Sequence, residues 1–206
     1  MTGAGAKTRE RILDEAQRLI LDRGLAATPI DEVLSAAGTS KGAFFHHFPS
    51  KNHLARAIVE RYAQGDVAFL NEFMGRAEAT TDDPAEQLVT FIGLFEQAAD
   101  ELVAQQPSCL YVSYIFDKQL FDNGTNDVIV DVILAYRGRL MEKITAAAKL
   151  HPPAIALDPV ALADHATVTF EGAFVLARAL GDPNIMRSQL ELVRRMVALL
   201  FGVRAE

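Results

Sequence analysis

Residues 28–58 read TPIDEVLSAAGTSKGAFFHHFPSKNHLARAI, and the stops and stripes in this stretch decide the fold. Thr28 and Pro29 can open a helix, with Asp31 and Glu32 in the first turn where negative charge suits the dipole. Ile30, Val33, Leu34 and Ala37 form its apolar stripe, and Gly38 permits a sharp turn. Thr39 and Ser40 can then cap a third helix of about two turns. Two short helices joined by a tight glycine-bearing turn are the pattern of a helix-turn-helix.

In that third helix Phe44 and Phe48 lie four apart and can anchor it, which turns Lys41, Gly42, Phe45 and His46 to the opposite surface. A cation, a bare backbone position and an aromatic suit a helix entering a major groove, where close approach and methyl contacts both matter. The following segment Pro49-Ser50-Lys51-Asn52-His53 has no acid in its first turn, as expected if an outside anion docks there.

Charge supports this reading. The chain of 206 residues has a formal net charge of -7, which by itself argues against phosphate contacts. Residues 1–63, however, hold nine Lys and Arg against seven acids, while residues 64–206 hold eleven against twenty. No acid occurs between Glu32 and Glu60, a window containing Lys41, Lys51, Arg56, His46, His47 and His53.

Upstream, Ile12, Leu13, Ala16, Leu19 and Ile20 form a single helical stripe that stops at Gly24. Downstream, Gly and Pro fall about one helix length apart and no alternating strand pattern appears. Asp83-Pro84, Asp158-Pro159 and Asp182-Pro183 each mark a helix start. The periodicities predict an all-α fold with helices over 8–23, 29–37, 40–47, 50–75, 84–104, 107–120, 126–149, 159–180 and 183–203. The expected organisation is a flexible arm over 1–7, a DNA-binding domain over 8–63 with its helix-turn-helix at about 29–48, and a ligand-binding and dimerisation domain over 64–206.

The stretch 28–58 resembles the DNA-binding head of the tetracycline-repressor-like (TetR) family of bacterial regulators. The resemblance is carried by the second-helix pattern, Ala37-Gly38, Ser40-Lys41-Gly42, the aromatic cluster ending at Phe48, and Ser50-Lys51 before Leu54. It implies that Lys41, Gly42, Ala43 and Phe45 face bases, and that Thr28, Ser40, His46, His47 and Lys51 hold phosphates. Phe45 and His47 stand where that family often has Tyr, so a hydroxyl contact is lost at position 45 and a histidine donor replaces one at position 47. The resemblance also implies a homodimeric repressor, double-stranded operator DNA as partner, and a small effector. An activator of the same family differs only in where its site lies.

In the body, the aromatics Phe91, Phe95, Tyr111, Tyr114, Phe116, Phe121 and Tyr136 read singly as core and together as the lining of a largely apolar effector cavity. The expected pocket comprises Phe95, Tyr111, Tyr114, Tyr136, Arg137, Phe170 and Glu171. His165 and Glu171 read equally as ligand-polarising or as satisfied residues. The last helix has one stripe of Met186, Leu190, Val193, Val197 and Leu200 and another of Leu192, Met196, Leu199 and Val203. An arc that wide is buried on two sides, and we expect Phe174, Leu190, Val193, Val197 and Leu200 to meet a second copy. The segment 170–180 also weakly resembles the bodies of the TetR family.

The single cysteine, Cys109, excludes an internal disulfide framework and reads as a small apolar residue. His46 and His47 diverge by about 100° on a helix with no third ligand nearby, so no metal is expected, and no cofactor is. There is no HExxH, nucleophile elbow or phosphate loop, so an enzyme is not expected. A helical adaptor docking through the last helix is the remaining alternative. No apolar run approaches the roughly 20 residues of a membrane span, and the polar start has no signal-peptide core. The expectation is a cytoplasmic protein with no membrane partner.

Overall fold

A computed structural model describes residues 3–105, 109–115 and 123–205. Among the described residues the chain is helical throughout: α1 (Gly3–Arg23), α2 (Ile30–Ala36), α3 (Lys41–His47), α4 (Lys51–Glu78), α5 (Pro84–Gln105), α6 (Leu110–Ile115), α7 (Asn123–Leu150), α8 (Pro159–Leu180) and α9 (Asn184–Phe201). It packs as two units. The first takes Met1–Gly65 with Pro107–Asp131, and the second takes Asp66–Gln106 with Val132–Glu206.

In the first unit Ile12, Leu13, Ala16 and Ile20 of α1 are buried with Val33, Leu34, Phe44, Phe48, Leu54 and Ile58. Each of the large side chains among these contributes roughly 1.5–3 kcal/mol by leaving water. The α2–α3 turn closes at Gly38, whose φ of +56° lies in the left-handed region that strains residues with a Cβ. Ser40 caps α3, its Oγ accepting from the Ala43 N–H at 3.2 Å.

α1 continues back to Gly3, so residues 3–7 are helix instead of a flexible arm. Pro29, not Thr28, occupies the cap position of α2; the Thr28 hydroxyl donates back to the Gly24 carbonyl at 2.8 Å. Leu110, Tyr114 and Ile129, which the sequence assigns to the body, join the apolar core of the first unit. Phe116 and Phe121 lie outside the described residues.

In the second unit α5, α8 and α9 pack against one another. Asp83 and Asp158 start α5 and α8 by accepting the Ala85 and Val160 N–H groups at 2.8 and 2.9 Å. Asp182, one residue before the cap position Pro183 of α9, accepts from Asn184 N–H at 3.0 Å. Phe69, Phe73, Phe91, Phe95 and Phe170 form a chain of ring contacts with centroids 4.1–5.8 Å apart. The Arg194 guanidinium donates to Glu96 at 2.7 Å and ties α9 to α5.

The α9 stripe expected at a partner is instead the inner one. Leu190, Val193 and Val197, with Phe174 of α8, are buried in the unit's own core, and Leu200 packs partly against it. The outer face carries Val168, Val175 and Leu176 of α8 with Leu192, Met196 and Leu199 of α9, the last 79% exposed. α8 is also long and apolar enough, by length and composition, to cross a membrane, contrary to the sequence expectation. It carries Asp164, Glu171 and Arg178, and its Ala163, Ala173, Phe174 and Ala177 are buried inside the unit.

Candidate nucleic-acid interface

α3 is held by its inner face. Phe44 is fully buried and its ring meets Phe48 at 5.7 Å and Phe45 edge-on at 5.2 Å. Burial of Phe44 and Phe48 leaves Lys41, Gly42, Phe45 and His46 on the outside, with Phe45 43% exposed. Ala43 and His47 are half-buried, and the His46 and His47 rings meet edge to face at 5.1 Å.

Gly42 is informative because nothing inside the head requires it. A Cβ built there would meet only Ser40 Oγ, at 4.0 Å. An exposed helical glycine with room for a methyl group sacrifices helix propensity for no internal gain, as expected where an outside surface approaches the backbone closely.

The proposed phosphate set divides. Ser40 is exposed, and while its oxygen accepts from Ala43 its hydroxyl hydrogen remains to donate outward. Lys41 lies 4.0 Å from Asp31, a pair open to solvent on both sides and therefore weak. Thr28 is only 1% exposed and its hydroxyl is used by Gly24, so it cannot reach a phosphate and leaves the set. Lys51 is half-buried, and its ammonium donates to the Leu25 carbonyl at 2.7 Å, tying the start of α4 to the loop after α1.

The first turn of α4 is acid-free, but its N–H groups are partly answered from within. Ser50 Oγ accepts from His53 N–H at 3.3 Å and lies 2.9 Å from His53 Nδ1. His53 is exposed and Ser50 half-buried, and both lie in the acid-free window of the sequence.

The expected effector pocket is not brought together within one unit. Tyr111 and Tyr114 pack in the first unit, Tyr111 edge-on to Tyr62 at 5.1 Å and Tyr114 buried beside Leu110. A cavity of about 10 Å³ bordered by Tyr114, Ile20, Leu25 and Ile58 admits no more than one water. Phe95 and Phe170 belong to the aromatic chain of the second unit. Tyr136 donates to the Asp66 carbonyl at 3.1 Å, and burial, followed by the nearby Asp66 charge, pushes its hydroxyl above the usual phenol range. Arg137 is bound in two-pronged fashion by Asp164, at 2.7 and 3.0 Å, which raises its affinity for its proton further. Glu171 is half-buried, His165 exposed and Cys109 half-buried.

Residues 12–58 match the family described as "Bacterial regulatory proteins, tetR family". The chain is 30% identical over 90 residues to the HTH-type transcriptional repressor KstR2 of Mycolicibacterium smegmatis, a match covering 44% of this chain and 40% of that one. It is 33% identical over 76 residues to the HTH-type transcriptional repressor NemR of Escherichia coli, covering 37% and 38% respectively. These matches span less than half the length of either relative. A solved TetR-family transcriptional regulator from Agrobacterium tumefaciens superposes with a TM-score of 0.77 at 23% identity over 96% of this chain and 99% of that one, a likeness of fold. The relatives are named as regulators of transcription, not as enzymes. Residues 12–58 thus match the tetR family of bacterial regulatory proteins, and the chain as a whole shares the fold of a solved TetR-family regulator.

Proposed function

We propose that the chain is a sequence-specific DNA-binding transcription regulator, a homodimeric repressor released from its operator by a small effector. The observation that carries this reading is the outer face of α3. Lys41, Gly42 and Phe45 stand on a helix anchored by Phe44 and Phe48, inside a stretch without a single acid from residue 33 to 59. Lys41 and Phe45, with Gly42 and Ala43 allowing close approach, read base edges; Ser40, His46 and His47 hold the flanking phosphates. Lys51 contributes its charge while positioning α4. The repressor role follows the names of the relatives KstR2 and NemR.

A second copy covers the outer face of α8 and α9. Val168, Val175, Leu176, Leu192, Met196 and Leu199 are too many large exposed apolar side chains on two adjacent helices for a free surface, and exposed Gly172 and Ala179 allow helices to approach. Two heads held about 34 Å apart, or a multiple of that, are what a two-fold operator requires. The effector is apolar or aromatic, the class that the ring cluster around Phe95 and Phe170 would accept by repacking, with Tyr136 packed partly against the same core. It acts by favouring one spacing of the heads over the other.

Selection of genomic fragments bound by the purified protein tests this reading. Enrichment of a two-fold sequence upstream of a few genes is expected, and recovery of fragments without a shared sequence would overturn it.

A further inference from the structure

Arg9 occupies a core-facing position on α1. The stripe of Ile12, Leu13 and Ala16, all buried, extends back along the helix to residue 9, three positions before Ile12. An apolar side chain would serve there if the position only closed the edge of the core. The chain places a guanidinium there instead, and it lies over the Phe48 ring, 5.4 Å from the centroid.

Phe48 ends α3, so Arg9 is held beside the last turn of the helix that carries Lys41, Phe45 and His46. The Phe48 ring also faces His47, at 6.4 Å. Arg9 keeps its side chain 36% exposed, and one of its five donors meets Glu10, at 3.2 Å. Glu10 is shared with Arg61 at 3.5 Å, and Arg61 is itself held by Asp14 at 2.7 Å and Gln17 at 2.6 Å. Asp14, and Glu10 in part, therefore pair with Arg61 of α4, while the Arg9 guanidinium lies over the Phe48 ring at the end of α3.

We propose that Arg9 is a phosphate-holding residue of the DNA interface, with the Phe48 ring as the platform that aims its guanidinium at the backbone flanking the groove read by α3. The inference rests on the DNA-binding reading given above. Residue 9 lies outside the stretch 12–58 that matches the family, so the role is taken from this chain's own geometry. A planar fork resting over an aromatic ring loses little freedom when it binds a phosphate, which is why arginine suits the position better than lysine.

The test uses the full chain and a short random-sequence duplex, titrated between about 50 and 200 mM salt. Arg9→Met keeps the stem on Phe48 and removes the charge; Arg9→Lys keeps a charge; Arg11→Gln removes an exposed charge two positions away that does not stack on α3. Helicity and melting temperature are measured for each. In Arg9→Met the slope of log affinity against log salt should shrink by about 0.9, one phosphate's worth, with similar loss on any sequence. Arg9→Lys should restore the slope, and Arg11→Gln should leave it unchanged. Weaker binding by Arg9→Met with the slope intact would make Arg9 a packing residue only. An equal loss of slope in Arg11→Gln would mean that general charge, not a held phosphate, is responsible; both outcomes overturn the proposal. Salt-dependent binding by the wild type together with an unaltered Arg9→Met would refute Arg9 alone, whereas a wild type that does not bind DNA would refute the underlying reading as well.

Discussion

The Lys51 ammonium donates to the Leu25 carbonyl at 2.7 Å, bridging the start of α4 and the loop that follows α1. A lysine that the sequence marks for phosphate thereby also holds the head together. Lys51→Met should lower head stability by about 1 kcal/mol, a charged hydrogen bond in partial contact with water. It should also weaken binding to all DNA sequences alike. Denaturant unfolding measured beside DNA affinity separates the two effects, and unchanged unfolding would leave the Leu25 bridge without energetic weight.

Gly42→Ala should move stability and binding in opposite directions. The new methyl group meets only Ser40 Oγ at 4.0 Å, so α3 should gain up to about 0.5–1 kcal/mol of helix propensity. The same methyl group would stand between the helix and the bases. A variant that melts higher and binds the selected operator more weakly is expected; equal or tighter binding would show that Gly42 is not at the DNA surface.

The two faces of α9 should respond differently to the same charge. Val197 is 5% exposed and Leu199 79%. Val197→Glu buries an unpaired carboxylate and should cost several kcal/mol of folding stability. Leu199→Glu should leave helicity intact but yield a monomer that no longer binds the operator. Mass in solution and circular dichroism distinguish them, and a Leu199→Glu variant that remains dimeric would place the interface elsewhere.

Acid should loosen the polar cluster where α4 ends. Glu78 accepts from Lys143 at 2.6 Å and Arg139 at 2.5 Å. The Lys143 hydrogen bond, against opposing burial and with help from both cations, holds its carboxyl below the usual range. At neighbouring Asp83 burial pushes upward, but the His151 ring at 2.6 Å and the Ala85 and Glu86 N–H groups outweigh it. A carboxylate with a depressed folded-state value stabilises above its unfolded value of about 4 and loses that contribution as pH falls through the folded one. Melting temperature should therefore change little from these groups between about pH 7 and 5 and fall below about pH 4. Glu78→Gln should melt lower at neutral pH with a shallower decline in acid, and a parallel decline would remove Glu78 from the account.

What was legible in the sequence, and what was not, follows from what local pattern can encode. Gly38, Ser40 and the spacing of Phe44 and Phe48 specify the turn, the cap and the buried face of α3 within a few residues of one another. The choice between the two α9 stripes is different. Both are apolar, and the contact of α9 with α5, including the Arg194–Glu96 pair, selects the inner one. Composition likewise cannot tell which aromatics meet. Tyr114 joins the head core because α6 packs on α1, while Phe95 stacks on Phe170. Thr28 misled because a hydroxyl before a proline can cap forward or donate back, and here it donates back to Gly24.

Base reading by the outer face of α3 is tested most directly by the affinity of the wild type, Lys41→Ala and Phe45→Ala for a selected operator and for a random-sequence duplex at matched salt. The wild type should prefer the operator by a factor of at least 10³. Each substitution should shrink that ratio by roughly 1–3 kcal/mol of lost discrimination while leaving random-DNA binding by Phe45→Ala nearly unchanged. A ratio that stays at the wild-type value in both variants would contradict the account.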